Sequence, residues 1–230
     1  FCLAACLATV LRRRNRRNLN TGYARLKVTG GLDHTCGPGF GLCMSLSRSI
    51  QRLPIPYDPA RGGEAVADLG LAPGSLADLI AGTAGSSPYL ADLMRLEGEW
   101  LVDAAERAPD DIRLELVRET NELSDTGLAI ELRRLKRRMA LYTALADLGG
   151  VWSLEDVTGL LTDFASAATD RALKAAVGNE IARNKLPGQS ESDVACAGGL
   201  AVLAMGKMGA GELNYSSDID LICLYDETRF

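Results

Sequence analysis

Histidine is almost absent: His34 is the only one in 230 residues. Metal clusters built on histidine are therefore excluded. A nucleophile–histidine–carboxylate arrangement would have to run through one residue in a glycine-rich stretch. Aromatic residues make up only 5% of the chain, so the core must be built mainly of Leu, Ala and Val. The six cysteines, at 2, 6, 36, 43, 196 and 223, form no Cys-x-x-Cys pair, and the spacing of a zinc site is lacking. Nothing else marks secretion, and the thiols read as reduced, in a cytoplasmic protein. Long apolar runs are missing too. The opening FCLAACLATVL is 11 residues, too short to span a bilayer. Its arginines, Arg12 to Arg17, follow the apolar stretch, whereas a signal peptide places positive charge before it.

What is present is ordinary for a globular protein: 47% apolar and 24% charged residues, with ample length for a core. Charge is unevenly spread. Residues 1–43 carry seven basic residues and one acid, a net +6, while residues 44–230 carry −11. The first methionine is Met44. Residues 1–43 are expected to be a leader or mis-called translation, disordered or non-native. A genuine basic extension is the alternative. RRRNRR is a weak signal for a nucleic-acid arm, and the acidic balance of residues 44–230 argues against a nucleic-acid partner.

Residues 44–185 read as helical. Pro54, Pro56 and Pro59 predict irregular structure as far as Gly63. Ser75-x-x-Asp78 resembles a capping box, Ser87-Pro88 offers an N-cap followed by Pro at the first helical position, and Pro109-Asp110-Asp111 opens a further helix. The helix after Ser87 should bury Leu90, Leu93, Met94 and Leu101. From Asp125 to Leu148, residues Leu128, Leu132, Leu135, Met139, Tyr142, Leu145 and Leu148 recur at spacings of three and four, one apolar stripe. Arg133, Arg134, Lys136, Arg137 and Arg138 crowd the other faces, either as a solvated face or as a surface for acidic partners. Gly149-Gly150 ends this helix. Ser153-x-x-Asp156 caps the next, with Leu154, Val157, Leu160, Leu161, Phe164, Ala168, Ala172 and Ala176 as its stripe. The short link predicts an antiparallel pair. Residues 185–198 have the composition of a linker.

Residues 186–230 carry the chemistry. Leu200–Met205 is apolar and stopped by Gly206, as in a buried strand. Gly206, Gly209 and Gly211 follow closely, with Lys207 among them. Then Ser216-Ser217-Asp218-Ile219-Asp220-Leu221-Ile222 alternates before turning apolar. In a strand, Asp218 and Asp220 share one face and Ile219 and Leu221 the other. Two adjacent carboxylates repel unless a cation lies between them, and their hard oxygens suit Mg2+ or Mn2+. Glycine backbone can approach phosphates closely, and Lys207 adds a point charge. Alone, an Asp pair at a strand start is most often a solvated edge. In this order, between two apolar strands, the combination is far more specific.

Met205-Gly206-Lys207, ten intervening residues and Asp218-Ile219-Asp220-Leu221 resemble the nucleotidyltransferase superfamily signature, with Lys207 in place of the usual small residue. The fuller string GKMGAGELNYSSDIDLI resembles the bacterial glutamine synthetase adenylyltransferase/adenylyl-removing family, where that lysine is regular. The segment Leu132–Ala165 resembles the helices preceding that family's first catalytic copy, and Gly211-Glu-Leu-Asn214 resembles that copy's wording. The resemblance implies a mostly α region leading into the start of an α/β (α+β) nucleotidyltransferase-type domain, as a fragment. A third acid on a later strand would lie outside it, so the fragment alone would be inactive. It also implies Mg2+ on Asp218 and Asp220, the catalytic pair. Gly206, Lys207, Gly209, Ser216 and Ser217 would bind nucleotide or phosphate, with ATP, ADP and phosphate as substrates or products. Glutamine synthetase would be the protein substrate and a PII-type protein the regulator, with no membrane. The implied activity of this copy is removal of AMP by phosphorolysis. Another Mg-dependent nucleotidyltransferase, or a non-catalytic nucleotide-sensing or partner-docking module, are the alternatives.

Overall fold

The computed structural model describes residues 44–229. The expectations for residues 1–43, including His34 and four of the cysteines, lie outside the described residues. Helices come first: α1 (Leu46–Ser49), α2 (Pro59–Asp68), α3 (Ser75–Ser86), α4 (Pro88–Ala105), α5 (Pro109–Glu122), α6 (Leu128–Leu148) and α7 (Leu154–Ala182). A 3-10 helix (Glu191–Gly199), β1 (Leu200–Ala204), α8 (Gly206–Ala210) and β2 (Leu221–Tyr225) follow. A mostly helical region thus leads into a small sheet, as the sequence implied. No helix among the described residues is long and apolar enough to cross a membrane.

Local chemistry sets most helix starts. Ser87 Oγ accepts from Leu90 N at 3.2 Å, and Pro88 takes the first helical position, where its missing N–H costs nothing. Ser153 and Asp156 form a reciprocal capping box at the head of α7. Asp110 and Asp111 sit in the first turn of α5. Three expectations are corrected. Residues 44–63 are not irregular throughout: α1 makes one turn, and Pro59 opens α2 with Asp58 Oδ1 accepting from Arg61 N at 3.1 Å. Ser75 caps nothing, because Gly74 is the N-cap and Ser75 is already helical. The long helix begins at Leu128 rather than Asp125, after Gly127 at φ 73°, a left-handed conformation that glycine adopts without strain.

The apolar stripes meet in one core. Leu93, Met94 and Leu101 are buried on α4, with Leu90 only partly so. Leu135, Met139, Tyr142 and Leu145 are buried on α6, and Leu128 and Leu132 half-buried, whereas Leu148 is exposed at the helix end. On α7, Val157, Leu160, Leu161 and Phe164 are buried, but Leu154, in the first turn, is exposed. Beyond Phe164 the buried apolar set is Ala167, Leu173, Ala175 and Val177, with Thr169 buried among them, not Ala168, Ala172 and Ala176. The stripe shifts because the second half of α7 is covered by the 3-10 helix: Gly178 lies close to Val194, and Gly198 to Val177. Arg171, far along α7, donates to the Leu123 carbonyl and pairs with Asp125 at the entrance to α6. The two helices therefore run antiparallel, as the short link predicted.

The stretch expected to be a linker is ordered. Leu186 is buried, Ser190 and Asp193 form a second capping box, and Ala197, Gly198 and Gly199 turn the chain into β1 with positive φ. The strands β1 and β2 pair antiparallel, Leu200 opposite Tyr225 and Ala204 opposite Leu221. Here β1 departs from the expected buried strand. Leu200 is buried, but Ala201 and Leu203 are exposed, as are their cross-strand partners Leu224 and Ile222. Only one face of this two-stranded sheet rests on the helices.

Candidate functional site

The turn from β1 into α8 and the approach to β2 form one locality. Met205 N donates to the Asp220 carbonyl at 2.9 Å, extending the ladder one residue past the strands. Asp220 therefore lies opposite Met205 and beside Gly206. A Cβ built on Gly206 would stand 3.8 Å from Asp220 Oδ2, so the glycine backbone and the carboxylate are neighbours. Gly206 also has φ 56°, which disfavours any side chain there. The Asp pair precedes β2 instead of lying within it, a correction to the sequence reading. The alternation nevertheless holds: Asp218 and Asp220 are exposed, while Ile219 and Leu221 pack against the core. Neither carboxylate is paired with a cation among the described residues.

The glycine-rich turn folds as the short helix α8, closed by Gly211 at φ 77°. Lys207 is exposed on it, without an ion pair among the described residues. Met208 is buried and fixes the helix to the core. Gly209 has a steric reason of its own: a Cβ there would sit 2.5 Å from the Ala204 carbonyl oxygen, so α8 approaches β1 only without a side chain.

Ser216 and Ser217 belong to an Asn-centred turn. Asn214 Oδ1 accepts from Ser216 N at 3.3 Å and from Ser217 Oγ at 2.8 Å, and Asn214 N donates to Ser217 Oγ at 3.2 Å. Asn214 organises the loop leading to Asp218, a role the sequence reading did not assign it. The available signal was an Asn followed directly by small polar residues, the composition of such turns. The loop is anchored at Leu213, which is buried and whose N–H donates to Thr162 Oγ1 on α7 at 3.3 Å.

The donor set fits magnesium in part. Among the described residues no group of three or more His, Cys, Asp or Glu gathers for a metal. Two carboxylates are what Mg2+ usually takes from a protein, leaving its other positions to water and phosphate oxygens.

The cationic face of α6 is divided: Arg133 and Lys136 are exposed, while Arg134, Arg137 and Arg138 are engaged within the chain. Arg137 and Arg138 both donate to Glu97, at 2.8 and 2.9 Å, and the Glu97 side chain is buried. Arg138 also lies over the Trp100 ring, 5.0 Å from its centroid, and Arg134 pairs with Glu131 at 2.7 Å.

The family model described as glutamate–ammonia ligase adenylyltransferase matches residues 75–229. The bifunctional glutamine synthetase adenylyltransferase/adenylyl-removing enzyme of Bradyrhizobium diazoefficiens is 44% identical over 156 residues, 65% of this chain and 16% of the relative. The enzyme of the same name from Caulobacter vibrioides is 41% identical over 170 residues, 72% of this chain and 17% of the relative. The chain spans about a sixth of the length of the curated relatives it matches. No solved structure matches. The family match covers every described element from α3 to β2, and with it the Gly206 turn and the Asp218–Asp220 pair. The chain belongs to the glutamate–ammonia ligase adenylyltransferase family.

Proposed function

We propose that this chain carries a nucleotidyltransferase site within a longer cytoplasmic protein that adenylylates and deadenylylates a tyrosine of glutamine synthetase. The observation that carries the reading is the adjacency of Gly206 and Asp220, with Asp218 exposed two residues before Asp220. Asp218 and Asp220 would hold Mg2+, or Mn2+. When bound, the metal would neutralise charge on the phosphoryl oxygens in either direction of the displacement. Gly206 lets phosphate oxygens approach the backbone next to the carboxylates. Lys207 supplies a mobile positive charge to a di- or triphosphate. Gly209 keeps α8 against β1, which sets where Gly206 and Lys207 stand. Ser216, exposed, and Ser217, half-buried, directly precede Asp218 and are held by Asn214.

This site is the adenylyl-removing one. Phosphate attacks the phosphorus of AMP-tyrosine, the bond to the tyrosine oxygen breaks, that oxygen takes up a proton, and ADP leaves. Catalysis of this kind is positioning plus charge stabilisation, which two carboxylates, a cation and a bare backbone turn are suited to provide. A PII-type protein would regulate it. The test is the full-length protein carrying Asp218→Asn and Asp220→Asn, which keep size and remove charge. Phosphate-dependent release of ADP from adenylylated glutamine synthetase should be lost while ATP-dependent addition largely remains. Loss of addition with removal intact would assign this site to the opposite activity.

A further inference from the structure

The loop that delivers Asp218 is held on one side by Leu213. On the other side its residues are exposed: Asn214, Tyr215, Ser216 and Asp218 all face solvent to a large extent. One contact crosses that exposed side. The Tyr215 hydroxyl donates to Asp147 Oδ2 at 3.1 Å and lies 3.4 Å from the Thr143 carbonyl. Tyr215 as a residue is 52% exposed, yet its hydroxyl reaches back to the end of α6. The backbone that carries the acceptor is itself held. Arg52 Nη2 donates to the Asp147 carbonyl at 2.7 Å, and the N–H groups of Gln51 and Arg52 donate to the Gly149 carbonyl at 2.8 and 3.0 Å.

We propose that Tyr215 and Asp147 form a latch that sets the position of the Asp218–Asp220 pair, which makes both of them positioning residues for the site. This inference rests on the metal-holding role proposed above. The physical ground is short range. Only Ser216 and Ser217 separate Tyr215 from Asp218, and Ser217 is already bonded to Asn214, so the hydroxyl contact fixes the last free degrees of the turn. A carboxylate pair binds a cation best when its spacing is set beforehand, because an ordered pair loses less freedom on binding. Burial and the Asp147 carboxylate both raise the Tyr215 pKa, so the hydroxyl keeps its proton across the neutral range and remains a donor.

The test uses the full-length protein with Mn2+ as the probe, free Mn2+ being counted by electron paramagnetic resonance in the presence of ADP. The signal of interest is the Mn2+ binding that Asp218→Asn with Asp220→Asn removes. In Tyr215→Phe that binding should weaken about fivefold, the equivalent of a net hydrogen bond of about 1 kcal/mol. Asp147→Ala should weaken it similarly, and the double variant should be no weaker than the poorer single one, since both remove the same contact. Tyr215→Phe should still unfold in the wild-type manner, its melting temperature lowered by no more than the few degrees that one hydrogen bond accounts for, which separates positioning from a fold defect. The latch is overturned if Tyr215→Phe binds Mn2+ as wild type does while the two Asn substitutions abolish binding. If the Asn substitutions leave Mn2+ binding untouched, the metal site itself is refuted, and the latch with it.

Discussion

Replacing Gly209 with alanine puts a methyl group where the structure has a backbone carbonyl. The added Cβ would lie 2.5 Å from Ala204 O and 3.1 Å from Ala204 C. These are backbone atoms of β1, whose flanking residues Leu203 and Met205 are held against Ile222 and Asp220, and they cannot rotate away as a side chain could. Ordinary contact needs about 3.4 Å or more, so α8 must retreat by nearly an ångström. Overpacking of this kind costs about 1–3 kcal/mol. Alanine recovers about 0.5–1 kcal/mol through its lower chain entropy in a helix, leaving a net destabilisation of about 0.5–2 kcal/mol. The retreat also carries Gly206 and Lys207 away from Asp220, so Mg2+-ADP binding should weaken in the same variant. Urea unfolding and nucleotide titration of the full-length protein measure the two effects. If Gly209→Ala is as stable as wild type and binds nucleotide equally well, the close approach of α8 to β1 does not govern the site.

Removing the Glu97 carboxylate leaves two guanidinium groups without their shared counter-ion. Glu97→Ala should cost about 2–4 kcal/mol, below the upper range for a broken buried pair because Arg137 and Arg138 both reach water; the shift in urea midpoint reads it. Ser153→Ala removes the capping-box acceptor at the head of α7 and should cost about 1 kcal/mol in the same assay. Asp193 accepts from Ser190 N and Oγ and faces Arg229, which lowers its pKa below the ordinary carboxylate value. Its contribution is thus present above the unfolded-state pKa and lost as pH falls through the lower folded-state value. The acid limb of a stability–pH curve should be shallower in Asp193→Asn.

Features with a short sequence range were legible. The α6 stripe, the Ser87-Pro88 start and the Ser153–Asp156 box each depend on residues within a turn or two of one another. The order strand, glycine turn, Asp-x-Asp, strand was legible as well, whereas the antiparallel pairing that brings Gly206 beside Asp220 comes from the fold. Features set by distant partners were not legible. Nothing near Arg137 or Arg138 signals that a buried Glu97, some forty residues earlier, will take both, at a residue whose own φ of −121° interrupts α4. Pro59 looked like a breaker because proline breaks helices everywhere except their first turn, and Asp58 was the neglected clue. The serine- and glycine-rich stretch before β1 reads as a linker by composition, yet Leu186 and Val194 pack it against the rest of the chain. Asn214 reads in the sequence only as part of the Gly211–Asn214 wording, because its bonds to Ser216 and Ser217 depend on how the turn folds.

The most direct test of the central claim is to count Mg2+-dependent ADP sites on the full-length protein by calorimetric titration, in wild type and in the Asp218→Asn, Asp220→Asn variant. The account predicts that the variant loses one Mg2+-dependent site and keeps its fold. Unchanged stoichiometry and affinity in a folded variant would contradict it.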